Sequence, residues 1–203
     1  MDYRASVSVI QHTSAEYLGL LEDHLEGRKI RFNYHRPFTE RGGIPRAQDV
    51  GDGLILLGGG PWGSAGPRNV PTLVREVELA AACLANQVAV VGIGLGAQIL
   101  ALAAGGKTVP SPLEFFIEQA ERVDDQALNG YLPHHFVNVR YMRDDFVLPT
   151  GARVLAQSAG GQPVVVQVGN HAFGFSGHPG FKPAMAEDLI MEFEEGPTDP
   201  AQR

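Results

Sequence analysis

Gly94 stands at the tip of a sharp turn in the stretch VAVVGIGLGAQILALAAGG, residues 88–106. A strand that turns abruptly into a helix is a common seat for chemistry, yet this tip carries no side chain. Either the glycine lets a phosphate approach the backbone, or it stands where a nucleophile would otherwise be. Gly92, Gly94 and Ala97 fit G-x-G-x-x-A, the looser form of the dinucleotide-binding fingerprint, and Glu114 lies where a ribose-binding acid is wanted, about 20 residues on. The turn, however, follows the fourth expected strand, whereas that fingerprint belongs to a first βα unit.

Other chemistry-bearing residues are few. Cys83 falls beside the helical stripe Leu73, Val77, Ala80 and Leu84, and reads as a buried structural thiol. Ser64, Ser158 and Ser176 lie in loops or strand ends, outside any G-x-S-x-G elbow, and read as turn residues. In YMRDDF, Asp145 reads as part of a solvated turn, while Arg143 and Asp144 are candidates to reach a charged ligand. Among seven histidines, His134 and His135 are adjacent, and neighbours on an extended chain point oppositely, so they are not expected to share an ion. One of them could join Asp144 and His178, but loop histidines without metal are the expectation, and no cofactor is implied. His12, His24 and His35 read as surface residues, and Trp62 as a pocket rim or partner contact.

Composition narrows the classes. The 203 residues suit one domain, with 44% apolar and 19% charged residues typical of a globular protein. A net charge of −7 without basic runs argues against nucleic acid as a general partner. One cysteine rules out an internal disulfide framework or a cysteine zinc site. MDYRASVSVIQ lacks the features of a signal peptide, and no apolar run approaches the ~20 residues of a membrane span, so a cytoplasmic protein is expected.

The elements that must position the candidates follow from pattern. ASVSVIQ reads as a strand, Thr13 and Glu16 as a capping box, and Leu18, Leu21 and Leu25 as one face of a helix closed by Gly27. KIRFNY and LILL read as strands, the second followed by GGGP as a buried parallel strand would be. Pro71 opens a helix, and the turn at Gly94 completes a β-α-β-loop-β-α-β-α order, the pattern of a doubly wound α/β sheet. The second half, with FFIEQAERV, ARVLAQSA, PVVVQVG and HAFGFSG, reads as antiparallel strands, then a helix over 183–194. A single domain over 1–195 and a frayed tail over 196–203 are expected.

VVGIGLGAQILALAAGGKTVPSP resembles the nucleophile segment of class I (triad-type) glutamine amidotransferases, which typically reads G-[IV]-C-x-G-x-Q before a helix and a GGK turn. GLILLGGGPWGS resembles the family's oxyanion loop, VRYMRDDFVLPTG its Trp-His-x-Asp segment, and AFGFSGHPG the segment that ends in His-Pro-Glu. The resemblance implies a flavodoxin-like sheet, mostly parallel, with helices on both faces and extra antiparallel strands. It also implies roles. Gly94 takes the nucleophile's place, His178 matches the general base, and Gly180 takes the place of the orienting acid. Asp144 stays, Tyr141 and Met142 replace the aromatic and the histidine, Gly58, Gly59 and Gly60 match the oxyanion loop, and Gln98 matches the glutamine-contacting position.

Hydrolysis by this route needs a thiolate to attack the amide and an imidazole to take and return its proton. Without the nucleophile, only binding and the oxyanion hole remain, roughly 10³–10⁴-fold over water. Glycine at an elbow tip relieves backbone strain, and its small size is expected to open space beside Gln98 for a ligand. On this reading Gly94→Cys with Gly180→Glu would rebuild the triad. Three functions stay open. The first is a non-catalytic subunit that binds a partner synthetase or other biosynthetic enzyme, and a small amide or amino acid. The second is a repurposed hydrolase or transferase using His178 and Asp144 with the Gly58–Gly60 loop. The third is dinucleotide binding through Gly92 and Gly94. A homo-oligomer is compatible with all three.

Overall fold

In the computed structural model, which describes residues 3–196, the first half folds as β1 (Ala5–Ile10), α1 (Leu20–Gly27), β2 (Ile30–His35), β3 (Gly53–Leu56), α2 (Leu73–Ala85), β4 (Ala89–Ile93) and α3 (Leu95–Ala103). The second half adds β5 (Lys107–Val109), β6 (Glu114–Arg122), β7 (His135–Met142), β8 (Asp145–Val147), β9 (Arg153–Ser158), β10 (Pro163–Val168), β11 (Ala172–Phe175) and α4 (Pro183–Glu192). Nine strands form one sheet in the order β2-β1-β3-β4-β11-β10-β9-β6-β7, and β5 pairs with β8 apart from it. This is the α/β, flavodoxin-like architecture with an antiparallel extension. The tail expected over 196–203 lies, apart from Gly196, outside the described residues.

Alternation along the parallel strands covers both faces of the sheet. Leu54 and Leu56 pack with Leu79, Ala80, Leu95 and Ile99 of α2 and α3. Val9, Ile55 and Leu57 face the other way, onto Leu18, Leu21 and Leu25. The antiparallel extension has its own apolar cluster, with Leu155, Val164 and Val165 at its centre.

The segment HAFGFSG differs from its expected purely antiparallel role. β11 is antiparallel to β10 but parallel to β4, with Phe175 beside Ile93. The Gly94 N–H donates to the Phe175 carbonyl at 2.8 Å. The residues after β11, including His178, therefore emerge beside the tip of the Gly94 turn, at the carboxyl ends of the parallel strands. Open α/β sheets place their sites at that edge.

Three boundaries also differ. α2 begins at Leu73, after a turn at Pro71 and Thr72, and α4 ends at Glu192. Thr13 and Glu16 do not cap a helix, because α1 begins at Leu20. The Thr13 hydroxyl does accept the Glu16 N–H at 3.3 Å, but the Glu16 carboxylate turns inward to the Gly60 N–H.

Candidate functional site

Strand β4 enters α3 through Gly94 at φ 55 and ψ −115, a backbone region that a residue with a Cβ occupies only under strain. A Cβ built there would meet only the Gly58 Cα at 3.5 Å and the Tyr141 carbonyl at 3.8 Å, which are ordinary contacts. The seat is thus sterically open to a side chain and costly for the backbone alone. Gly96 has a different reason to be glycine: its Cβ would lie 2.0 Å from the Leu56 carbonyl oxygen, so α3 packs against β3 by virtue of it. The Gly96 N–H donates to the Leu57 carbonyl at 3.2 Å, so one amide of the turn is already occupied. Glu114 begins β6, far along the sheet from β4, and lies 3.4 Å from the Arg140 guanidinium.

His178 is buried, and both its ring nitrogens have partners. Nε2 lies 2.7 Å from the Tyr17 carbonyl oxygen, which can only accept, so Nε2 carries the proton. Nδ1 then accepts the Gly180 N–H at 3.0 Å. A triad imidazole needs the reverse arrangement, with Nδ1–H held by an acid and a free Nε2 lone pair facing the nucleophile. Burial, only partly offset by the bond to Tyr17, pushes the ring down to about 4, so it is neutral at physiological pH.

Gly180 leaves no room for an acid. Its Cβ would meet the Leu18 carbonyl oxygen at 2.7 Å, and Leu21 Cγ and N at 2.9 and 3.0 Å. The Gly180 carbonyl in turn accepts the Leu20 N–H at 2.9 Å. The start of α1 therefore occupies the space that a triad carboxylate would need, and rebuilding the triad by substitution at this position requires the backbone to move.

The space above Gly94 is bounded by Glu16, Tyr141, Ser176, His178 and Phe181, and measures about 10 Å³, enough for about one water. The expected opening for a deeper ligand is not there, because Glu16, Tyr141 and Phe181 close in where the side chain is missing. Glu16 was not legible as a site residue. Its carboxyl is buried, accepts the Gly60 N–H, and is pushed up to about 7 by burial, against the opposing pull of that N–H and of His12.

His12 corrects its surface assignment. It is buried between the Gly58 carbonyl at 3.0 Å and the Glu76 carboxylate at 2.7 Å. Both partners accept, so both ring nitrogens donate and the ring is an imidazolium. Burial lowers its affinity for the proton, but the Glu76 charge and hydrogen bonds outweigh this, and it stands above its ordinary value. Glu76 stands below its own, as His12 outweighs burial there too, and it also accepts the Thr72 hydroxyl at 2.5 Å. A sequence signal did exist: Glu76 falls at helical spacing with the buried Leu79, Ala80 and Cys83. His24 is exposed as expected, while His35 is half-buried and bonded to the Ser8 hydroxyl.

Gln98, Asp144 and Arg143 converge on one polar knot. Gln98 is buried; its amide nitrogen donates to the Arg143 and Asp144 carbonyls at 2.5 and 3.2 Å, and its oxygen accepts the Ser64 hydroxyl at 2.5 Å. Asp144 adopts φ 62 and accepts three backbone N–H groups, from Ser64, Ala65 and Ser111, at 2.8 to 3.1 Å. Its carboxylate staples the loop after Pro61 to the segment between β5 and β6, and does not border the cavity above Gly94. Arg143 donates to the Pro61 carbonyl at 2.8 Å and pairs with Glu195, which also binds Arg68. Trp62 is half-buried beneath the Arg68 guanidinium and borders a cavity of about 90 Å³ with His12, Phe38 and Val70. Burial pushes the Cys83 thiol up, as a structural thiol requires.

The histidines at the other end of β7 stay apart from this knot. His135 opens the eight-residue β7 and Asp144 lies two positions past its other end, roughly 25 Å away at strand rise. His134 and His135 do meet each other, with Nδ1 and Nε2 3.1 Å apart. His134 precedes the strand, so pleat alternation does not separate the two rings.

Comparison with known proteins agrees with this architecture. Residues 24–194 match the family model described as glutamine amidotransferase class-I. The chain is 32% identical over 164 residues to the glutamine-hydrolysing GMP synthase of Aeropyrum pernix, covering 77% of this chain but only 30% of that protein. It is 26% identical over 195 residues to the glutamine amidotransferase-like protein YfeJ of Salmonella typhimurium, covering 93% of this chain and 81% of the relative. A solved glutamine amidotransferase from Methylobacillus flagellatus superposes with a TM-score of 0.80 at 25% identity, covering 92% of this chain and 75% of that one.

Proposed function

Because the chain belongs to the class I glutamine amidotransferase family, we propose that it is a member without cysteine-dependent glutaminase activity, acting as a non-catalytic accessory subunit of a biosynthetic enzyme. One observation carries this reading: the proton of His178 sits on Nε2 and points at the Tyr17 carbonyl, while Gly94 offers nothing to deprotonate. Gly94, His178 and Gly180 then mark a vacant nucleophile, a remnant base and a vacant acid.

The similarity to part of a longer synthase supports a synthetase-type partner that receives this domain. The Gly58–Gly60 loop, Gln98 and Arg143 are the positions at which a small amide or amino acid would be held. Each is already bonded within the protein, so such a ligand needs the loop to rearrange. Reuse of His178 and Asp144 for another hydrolysis has less support, since neither has a free acceptor toward Gly94. Dinucleotide binding at Gly92 and Gly94 lacks a ribose acid at a neighbouring strand end. Among the described residues no helix is long and apolar enough to cross a membrane.

The test is ammonia release from glutamine by the purified protein, alone and with the synthetases encoded beside its gene. No release above a heat-denatured control is expected, together with co-purification of one synthetase. Release that disappears in His178→Ala would overturn the reading.

A further inference from the structure

We propose that Glu121, His134 and His135 form a surface site for a divalent transition-metal ion, zinc being the best match. The site lies at the start of β7, the edge strand of the nine-stranded sheet, remote from Gly94. One ligand atom from each of the three side chains falls within 4.8 Å of the others.

The fold brings them together for identifiable reasons. Glu121 and His135 are directly paired in the antiparallel β6–β7 register, which sets their Cβ atoms about 5 Å apart on one face. His134 is pinned at the mouth of the same ribbon, where its carbonyl accepts the Arg122 N–H at 2.8 Å. The two rings stand edge to face, with centroids 4.4 Å apart.

Zinc–imidazole bonds of about 2.0 Å give a tetrahedral edge of about 3.3 Å. The 3.1 Å between His134 Nδ1 and His135 Nε2 is close to that edge. Two imidazoles and a carboxylate are the donor types that favour zinc, copper or nickel over magnesium or calcium. The neighbouring cation does not compete for the place: Arg122 donates to the Leu132 carbonyl at 2.9 Å and to Asp125 at 3.1 Å. Three protein ligands on an exposed edge leave the fourth zinc position open to water or to an incoming group.

Calorimetric titration of ZnCl2 into the full chain, prepared without a polyhistidine tag, tests the site. One zinc per chain is expected. His134→Ala and His135→Ala should each weaken binding at least tenfold, Glu121→Gln severalfold, and the double histidine variant should lose it. Excess MgCl2 should not displace the zinc. All three positions are exposed, and circular dichroism checks that each variant is folded. Absence of zinc binding by the parent, or equal affinity in the folded His134→Ala/His135→Ala variant, would overturn the proposal.

Discussion

His178 donates its Nε2–H to the Tyr17 carbonyl, 2.7 Å away, across 161 positions of sequence. The imidazole that the family motif marks as a base is thereby a strut between the turn after β11 and the segment ahead of α1. Its pH behaviour follows. The unfolded ring titrates near 6.5 and the folded one near 4, so the unfolded state takes up the proton first as pH falls. This contribution to stability is complete above about 6.5 and is lost as pH drops toward 4, amounting to about 3 kcal/mol in full. Urea unfolding at pH 7.5 and pH 5 should show this slope in the parent relative to His178→Gln. Parallel pH profiles for the two proteins would rule it out.

Glu16 predicts the opposite slope. Its folded carboxyl titrates at about 7, above the unfolded 4.5, so the folded state holds the proton more tightly. The stability it contributes is present below about 4.5 and is lost as pH rises through about 7. Glu16→Gln removes the charge and keeps an acceptor for the Gly60 N–H. It should be more stable than the parent by about 1–3 kcal/mol at pH 8, with the gap narrowing at pH 5. A variant less stable than the parent at pH 8 would show that the carboxylate charge is favourable where it sits.

Gly94 and Gly180 should respond unequally to the same added atom. At Gly94 an alanine makes only ordinary contacts and bears the cost of φ 55, about 1–3 kcal/mol. At Gly180 the Cβ collides with the Leu18 carbonyl and Leu21, so Gly180→Ala should cost more, and Gly180→Glu more again. Thermal unfolding of the three variants gives the order. Gly94→Cys should fold yet resist alkylation by a glutamine-like chloroketone, because no imidazole lone pair faces the thiol. Rapid alkylation would mean that His178 can turn.

The parts of this molecule that were legible in sequence are those whose cause is local. The β4–Gly94–α3 turn is written in one stretch of apolar residues and spaced glycines, and β3 before GGGP likewise. Glu16 and His12 were misread because what buries them lies elsewhere: the Gly60 N–H is 44 residues from Glu16, and Glu76 is 64 from His12. In isolation QHTSAEY presents a polar stretch with a plausible helix cap, and only the loop folding over it makes the two ionisable side chains interior. Gly94, His178 and Gly180 are expected from motif alone, while the direction of the His178 proton depends on Tyr17, which no pattern around the histidine reveals. Asp144 reads as a ligand-binding acid in sequence because a carboxylate in a turn carries no mark of the three amides it accepts.

The pairing of Glu195 with Arg143 and Arg68 has a temporal consequence. Phe193, two residues earlier, packs against Gly60. During synthesis the glycine loop and its neighbours emerge more than a hundred residues before these contacts. Until Phe193 and Glu195 are made, the loop lacks this outer clasp and has only His12 and Glu16 as its inner supports. A nascent or nicked chain ending before Phe193 leaves Arg143 and Arg68 without the Glu195 carboxylate on a protein of net charge −7.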